Sequence, residues 1–300
     1  MPSTQKILGV THSPPNFDVP RNACDCHVHV FDPAFPYATT RAYTPAAATL
    51  DDLKALHAAL HIDRVVIVHP SVYGTDNSCT VESVRALNGR ARGVAVIDKN
   101  VTDAELADMH AAGIRGLRIN LGAIGENDPA VAQRYLRAAA ARAAPLGWHV
   151  LTYAALPVLS TLRDTIASLP VTLVVDHFAC ADAALGPDQP GLDAIYGLLR
   201  AGKIYVKISG GYRSSKQPGY ADVAPLARAL IAANVDRILW GTDWPHPGGG
   251  AGKPITDLTS IEPFIGVDDG FALNRLNEWC GNRATLEKIL VTNPARLYGF

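Results

Sequence analysis

The chain has little charge and almost no imbalance in it. Asp, Glu, Lys and Arg make up 18% of its 300 residues, and the net charge is −1. That excludes electrostatic attraction to nucleic acid or to an anionic membrane as the basis of its main partnership. Long apolar runs are also missing, none reaching the ~18 residues of a membrane span. The polar stretch from Met1 to Pro20 lacks the apolar h-region of a secretory signal. The five cysteines are odd in number and scattered. They read as reduced thiols of a cytoplasmic protein rather than as a disulfide framework. No glycine-rich fingerprint follows a strand-like run, and neither a Walker-type phosphate loop nor a Gly-x-Ser-x-Gly elbow is present. Dinucleotide, nucleotide-hydrolase and serine-hydrolase chemistry therefore lack their parts.

What is present is a core and a rhythm. Hydrophobic residues are 48% of the chain, enough to exclude intrinsic disorder. Eight short, mostly apolar runs read as buried parallel strands: Ala23–Phe31, Arg64–His69, Arg92–Ile97, Gly116–Ile119, His149–Tyr153, Thr172–His177, Ile204–Ile208 and Arg237–Gly241. Helical patterns lie between them. Thr49 can cap Leu50–Leu60; Thr102 with Glu105 forms a capping box stopped by Gly113; Asp128-Pro129 opens a helix that ends near Gly147. Eight such units fit a single (β/α)₈ barrel of ~250 residues; a doubly wound open sheet is the alternative. The expected layout is an N-terminal extension over 1–22 and a barrel over 23–300.

In such a barrel the chemistry sits at the C-terminal strand ends, and here those ends are polar or titratable. The first carries His27-Val28-His29, whose alternate side chains share a face and suit a metal or a pair of donors. Asp25 would then lie one step deeper, and Cys24 and Cys26 would face the helical layer as small buried hydrophobes. The sixth ends in Asp176-His177 and the eighth in Gly241-Thr242-Asp243-Trp244-Pro245-His246. Asp243 suits a general base or a metal ligand. Taken alone, each of these is more often a turn residue or a surface histidine; their recurrence at neighbouring strand ends reverses that weighting. Arg118 and Arg213 are candidates for binding an anion, with Tyr43, Ser71, Tyr73 and Tyr153 as hydroxyl donors. His12, His57, His61, His110 and His149 have no such context and are expected at the surface or in a second layer.

Asp25-Cys-His-Val-His-Val-Phe-Asp32, Arg115-Gly-Leu-Arg-Ile-Asn120, Asp176-His177 and Gly241-Thr-Asp-Trp-Pro-His-Pro247 together resemble the amidohydrolase superfamily. The tract from Val68 to Asn77 adds a likeness to its lactonase branch, the group of pyrone-dicarboxylate and sulfomuconolactone hydrolases. The resemblance spans about 23 to 298. It implies an amidohydrolase-type TIM barrel that opens an anionic, carboxylated or sulfonated lactone in aromatic catabolism. Residue by residue, it implies Asp243 as general base, His27, His29 and His177 as its companions, and Tyr43, Ser71, Arg118, Tyr153 and Arg213 as substrate-binding groups. Two departures stand out. Tyr153 occupies the slot where metal-dependent members place a histidine, so no metal is expected; the alternative is one divalent cation, zinc or manganese, on His27, His29, His177 and Asp243. Leu121–Gly125 contains no second arginine, which argues against a demand for two carboxylates there. A lactone isomerase of the galactarolactone type and a metal-dependent decarboxylase are the alternative activities. A non-enzymatic scaffold is disfavoured by the intact histidines and Asp243. No nucleic-acid or membrane partner is expected.

Overall fold

A computed structural model describes residues 5–122, 125–248 and 258–300. Ala123 and Ile124, within the segment that lacks a second arginine, and Gly249 and Gly250 of the glycine tract lie outside the described residues. Eight parallel strands follow one another in chain order: β1 (Cys24–Val28), β2 (Arg64–Val68), β3 (Ala91–Ala95), β4 (Ile114–Asn120), β5 (His149–Tyr153), β6 (Leu173–Val175), β7 (Ile204–Ser209) and β8 (Ile238–Gly241). Backbone bonds just beyond β8 bring it to β1: Asp243 N donates to His27 O at 2.9 Å and His29 N to Trp244 O at 2.8 Å. A Cβ on Gly241 would lie 2.7 Å from the His27 nitrogen, so only glycine permits this approach. The result is the expected barrel. Among the described residues no helix is long and apolar enough to cross a membrane.

The capping signals act as the sequence suggests. Thr49 and Thr102 each close a capping box, with Asp52 and Glu105, and Gly113 ends the second helix at φ +110°. Asp128 accepts from Ala130 N at 2.8 Å ahead of Pro129. β6 is shorter than expected because the chain leaves strand geometry at His177, where φ turns to +47°, one residue after the extended Asp176.

One alternation argument fails. Asp25 pairs with Val65 and Val28 with Ile67, so three steps on β1 face two on β2. This bulge shifts the side-chain parity by one. Cys24 and Cys26 therefore join the inner cluster with Val66, Val68, Val94, Leu151, Val174, Tyr205 and Leu239, and do not face the helices. Asp25 turns outward, where it accepts from Thr242 N and Oγ1 at 3.0 and 2.7 Å and meets His57 Nε2 at 3.3 Å. It ties β1 to β8 rather than deepening a site.

Both ends of the described chain pack against the barrel. The C-terminus stops its lower end: Tyr298 is buried in the inner cluster, and Arg92 and Arg64 lie 4.6 and 5.2 Å over the Phe300 ring. The N-terminal hairpin Gln5–Ile7 and Val10–His12 leads to Ser13, whose backbone N donates to Asp268 at 2.8 Å. Ser13 packs so closely on the helix Asp269–Cys280 that a Cβ on Gly270 would overlap its carbonyl.

Candidate active site

Three imidazoles and one carboxylate meet at the upper end of the barrel. His27, His29 and His177 direct Nε2 at Asp243 Oδ1, from 3.6, 3.8 and 3.8 Å. Each ring is held from behind through Nδ1: His27 by Asp176 Oδ1 at 3.1 Å, His29 by the Val68 carbonyl at 2.7 Å, and His177 by Ser209 Oγ at 3.0 Å. The other oxygen of Asp243, Oδ2, accepts from Tyr212 OH at 2.7 Å and from Arg213 Nε at 2.5 Å.

The local backbone is strained where it presents these groups. Asp243 has φ +68°, and His177 opens a run of four non-glycine residues with φ between +47° and +56°. Left-handed geometry costs about 1–2 kcal/mol per residue. Burial of Phe178 and Ala179 holds the run in place, and strain of this kind gathers at functional sites.

Burial governs the electrostatics. It depresses all three histidines, His177 to about 3, and so favours the neutral rings. Burial alone would raise Asp243; the Arg213 guanidinium on Oδ2 overrides it and holds the carboxyl well below the usual range. Asp243 is thus an anion, with Oδ1 unpartnered among the described residues, as is His27 Nε2.

Those orphaned atoms allow a test of the metal alternative. His27, His29 and Asp243 offer ligand atoms within 4.8 Å of one another. The Val68 carbonyl can only accept, so a neutral His29 carries its proton on Nδ1 and a lone pair on Nε2. A lone pair and an anion facing each other in a buried space are what a divalent cation relieves. The residues fit such an ion: His27, His29, His177 and Asp243 would hold it.

Above them opens a cavity of about 90 Å³. His29 and His177 lie in its wall, together with all five residues taken as substrate-binding: Tyr43, Ser71, Arg118, Tyr153 and Arg213. Arg118 is buried, donates from Nη1 to the His69 carbonyl at 2.9 Å, and has no partner for Nε among the described residues. Arg213 differs, being engaged by Asp243 and by the Pro247 carbonyl at 3.2 Å. Tyr153 stands against Gly122, where a Cβ would come within 2.5 Å of its ring. Tyr73 faces elsewhere, donating to the Asp32 carbonyl at 3.0 Å.

Three contributors have no role assigned from the sequence, although Asp176 stands in the strand-end pair with His177. Tyr212 and Asp176 each adjoin a residue that was singled out. Lys207 is the one charge in Ile-Tyr-Val-Lys-Ile-Ser of β7, which is the signal that marks it in the sequence.

A closed parallel barrel with a His-x-His pair on β1 and an aspartate after β8 defines an amidohydrolase-type enzyme. The chain belongs to the amidohydrolase family, whose model matches residues 24–300. It is 36% identical over 298 residues to 2-pyrone-4,6-dicarboxylate hydrolase of Comamonas testosteroni, covering 95% of this chain and 93% of that one. It is 34% identical over 302 residues to 4-sulfomuconolactone hydrolase of Hydrogenophaga intermedia, covering 98% and 95%. A crystal structure of an Agrobacterium tumefaciens protein in its apo form superposes with a TM-score of 0.80 at 28% identity, covering 95% of this chain and 98% of that one.

Proposed function

We propose that the protein hydrolyses the ring ester of a small anionic lactone in the cytoplasm. One observation carries the reading. An ionised carboxylate with a free oxygen, Asp243 Oδ1, sits among three imidazoles beneath a cavity whose wall holds a buried guanidinium, Arg118, with an unsatisfied donor. Both similar enzymes named above are lactone hydrolases with acidic substrates, which supports the same class here.

Arg118 binds the carboxylate or sulfonate of the substrate, a charge-assisted contact strengthened by burial. Tyr43, Ser71 and Tyr153 offer hydroxyls around the ring. Asp243 Oδ1 takes a proton from water, the water oxygen bonds to the lactone carbonyl carbon, and the carbonyl oxygen becomes negative. The ring C–O bond then breaks, and the proton on Asp243 passes to the departing ring oxygen. Tyr212 and Arg213 hold Oδ2, which aims Oδ1 and leaves Asp243 ionised at rest, ready to accept the proton. When bound, a divalent cation on His27, His29, His177 and Asp243 supplies Lewis-acid stabilisation of the developing oxyanion.

A ¹H NMR time course over carboxylated, sulfonated and neutral lactones tests this. The expected result is an open hydroxy or keto acid, with acid released in step with ring opening and the anionic lactones turning over fastest. A ring-migrated product of unchanged mass would make the enzyme an isomerase, and loss of carbon dioxide would make it a decarboxylase; either result overturns the reading.

A further inference from the structure

Behind His27 lies a pair of charges that touches neither the cavity nor solvent. Lys207, on β7, is completely buried, as is Asp176. The Lys207 ammonium is 3.2 Å from Asp176 Oδ1 and 3.1 Å from His27 Nδ1, and Asp176 Oδ1 is 3.1 Å from His27 Nδ1. A buried ammonium is costly to keep, and a triangle with the first histidine of a His-x-His pair gives it a task beyond packing.

We propose that Lys207 and Asp176 are positioning residues that fix the tautomer of His27, with the proton on Nδ1 and the lone pair on Nε2. An ionised carboxylate oxygen only accepts, and an ammonium only donates. If His27 and Lys207 both donate to Asp176 Oδ1, the anion takes both protons, and the third side, Lys207 Nζ to His27 Nδ1 at 3.1 Å, sets two donors side by side that both point at the carboxylate and not at each other. If Nδ1 instead accepts from Lys207, two acceptors, Nδ1 and Oδ1, are left 3.1 Å apart with no hydrogen between them. His29 reaches the same state independently, because the Val68 carbonyl at 2.7 Å demands its Nδ1 proton. Both rings of the pair then turn an Nε2 lone pair toward Asp243 Oδ1. In the neutral state neither can donate a hydrogen bond to a substrate oxyanion; each can hold a cation or receive a proton. Lys207 offsets the charge of Asp176, so the carboxylate stays an acceptor although it is fully buried.

The test is two-bond ¹H–¹⁵N correlation NMR on the full chain labelled at its ten histidines, with the His27 signals identified by their loss in His27→Gln. A protonated, pyrrole-type Nδ1 on His27 in the wild type is expected; a protonated Nε2 with a bare Nδ1 overturns the inference. In Asp176→Asn the amide can donate to Nδ1, so the proton should move to Nε2; a spectrum in which it stays on Nδ1 overturns the inference as well. Should that variant fail to fold, the wild-type spectrum decides alone. The activity arm rests on the lactone-hydrolase reading. There Asp176→Asn should lower kcat by at least ~10² with KM within about threefold, in the manner of a misplaced tautomer in a hydrolytic triad. A moved proton with unchanged kcat upholds the inference and counts instead against a part for His27 in the proposed reaction.

Discussion

The two ends of the barrel interior are built from the same eight strands and treat polar atoms in opposite ways. At the upper end, buried polar atoms converge: three Nε2 atoms face one carboxylate oxygen within 3.8 Å, under a cavity, with charged groups behind them. At the lower end they are merely enclosed. His149 is buried with the Arg115 backbone in reach but no well-formed hydrogen bond on either ring nitrogen among the described residues, and the Tyr298 hydroxyl, whose ring lies 5.2 Å from that of His149, is likewise unsatisfied. Among the described residues no carboxylate hydrogen-bonds to them, and the C-terminal residues cover them. An unsatisfied buried atom is therefore not by itself a site; several of them aimed at one point are. The contrast also separates two costs. The upper end holds strained backbone and buried charge, as expected where function sets the structure. The lower end leaves three polar atoms, His149 Nδ1 and Nε2 and the Tyr298 hydroxyl, without well-formed hydrogen bonds under a close-packed stopper.

The sharpest way to break the comparison is at Asp243. Asp243→Asn keeps an acceptor for Tyr212 and Arg213 but places an amide where the free carboxylate oxygen was. It should fold, bind substrate with near-normal affinity, and lose at least ~10² in kcat. Steady-state kinetics beside a thermal melt will check this. Near-normal turnover would remove Asp243 from the mechanism and leave the upper end no more functional than the lower.

The next effect is smaller and concerns the cavity wall. Arg118→Met should raise KM for an anionic lactone roughly tenfold to a hundredfold, the worth of a lost charge-assisted contact of about 1.5–3 kcal/mol. A neutral ester analogue should be affected much less. Equal losses on both would make Arg118 a structural prop for the His69 carbonyl.

How legible this was in the sequence depends on what kind of signal each residue carries. The strands were readable because each is a short apolar run between capped helices, and the site residues because they cluster at strand ends. Arg118 and Tyr153 stand out that way as candidates, and both line the cavity. Parity then failed at β1, where a bulge between Asp25 and Val28 leaves no mark in residue type. The partners of Arg213 were invisible for another reason: a guanidinium looks the same whether it waits for a ligand or grips Asp243, and only distance tells them apart. His149 and His12 were expected at the surface or in a second layer. Instead, His149 is buried inside the barrel, over Gly116, and His12 is buried against Asp269. Both are long-range consequences of how the strands and the N-terminal hairpin come together.

The smallest expected effect probes the lower end. Burial, then the Lys207 charge, pushes His149 down to about 3, against about 6.5 in an unfolded chain. As pH falls below about 6.5, the unfolded chain takes up a proton that the folded chain refuses. Stability from this residue is therefore complete above pH 6.5 and drains away down to about pH 3, by about 1.4 kcal/mol per pH unit at the steepest. His69, held at about 4 by burial, works in the same direction over a narrower window. His149→Phe removes the proton-binding group and both unsatisfied nitrogens while keeping a flat ring over Gly116, where a Cβ would come within 2.4 Å of the imidazole. At pH 7 it should gain about 1 kcal/mol, with kcat within about twofold of wild type. The gap in melting temperature should widen as the pH is lowered from 7 to 4. His149→Leu, with less ring to accommodate, guards against simple overpacking by the larger side chain. If both variants melt lower than wild type at every pH, the imidazole has a partner at the lower end after all. If they keep their stability but lose activity a hundredfold, the stopper is coupled to the chemistry above it, and the division between the two ends fails.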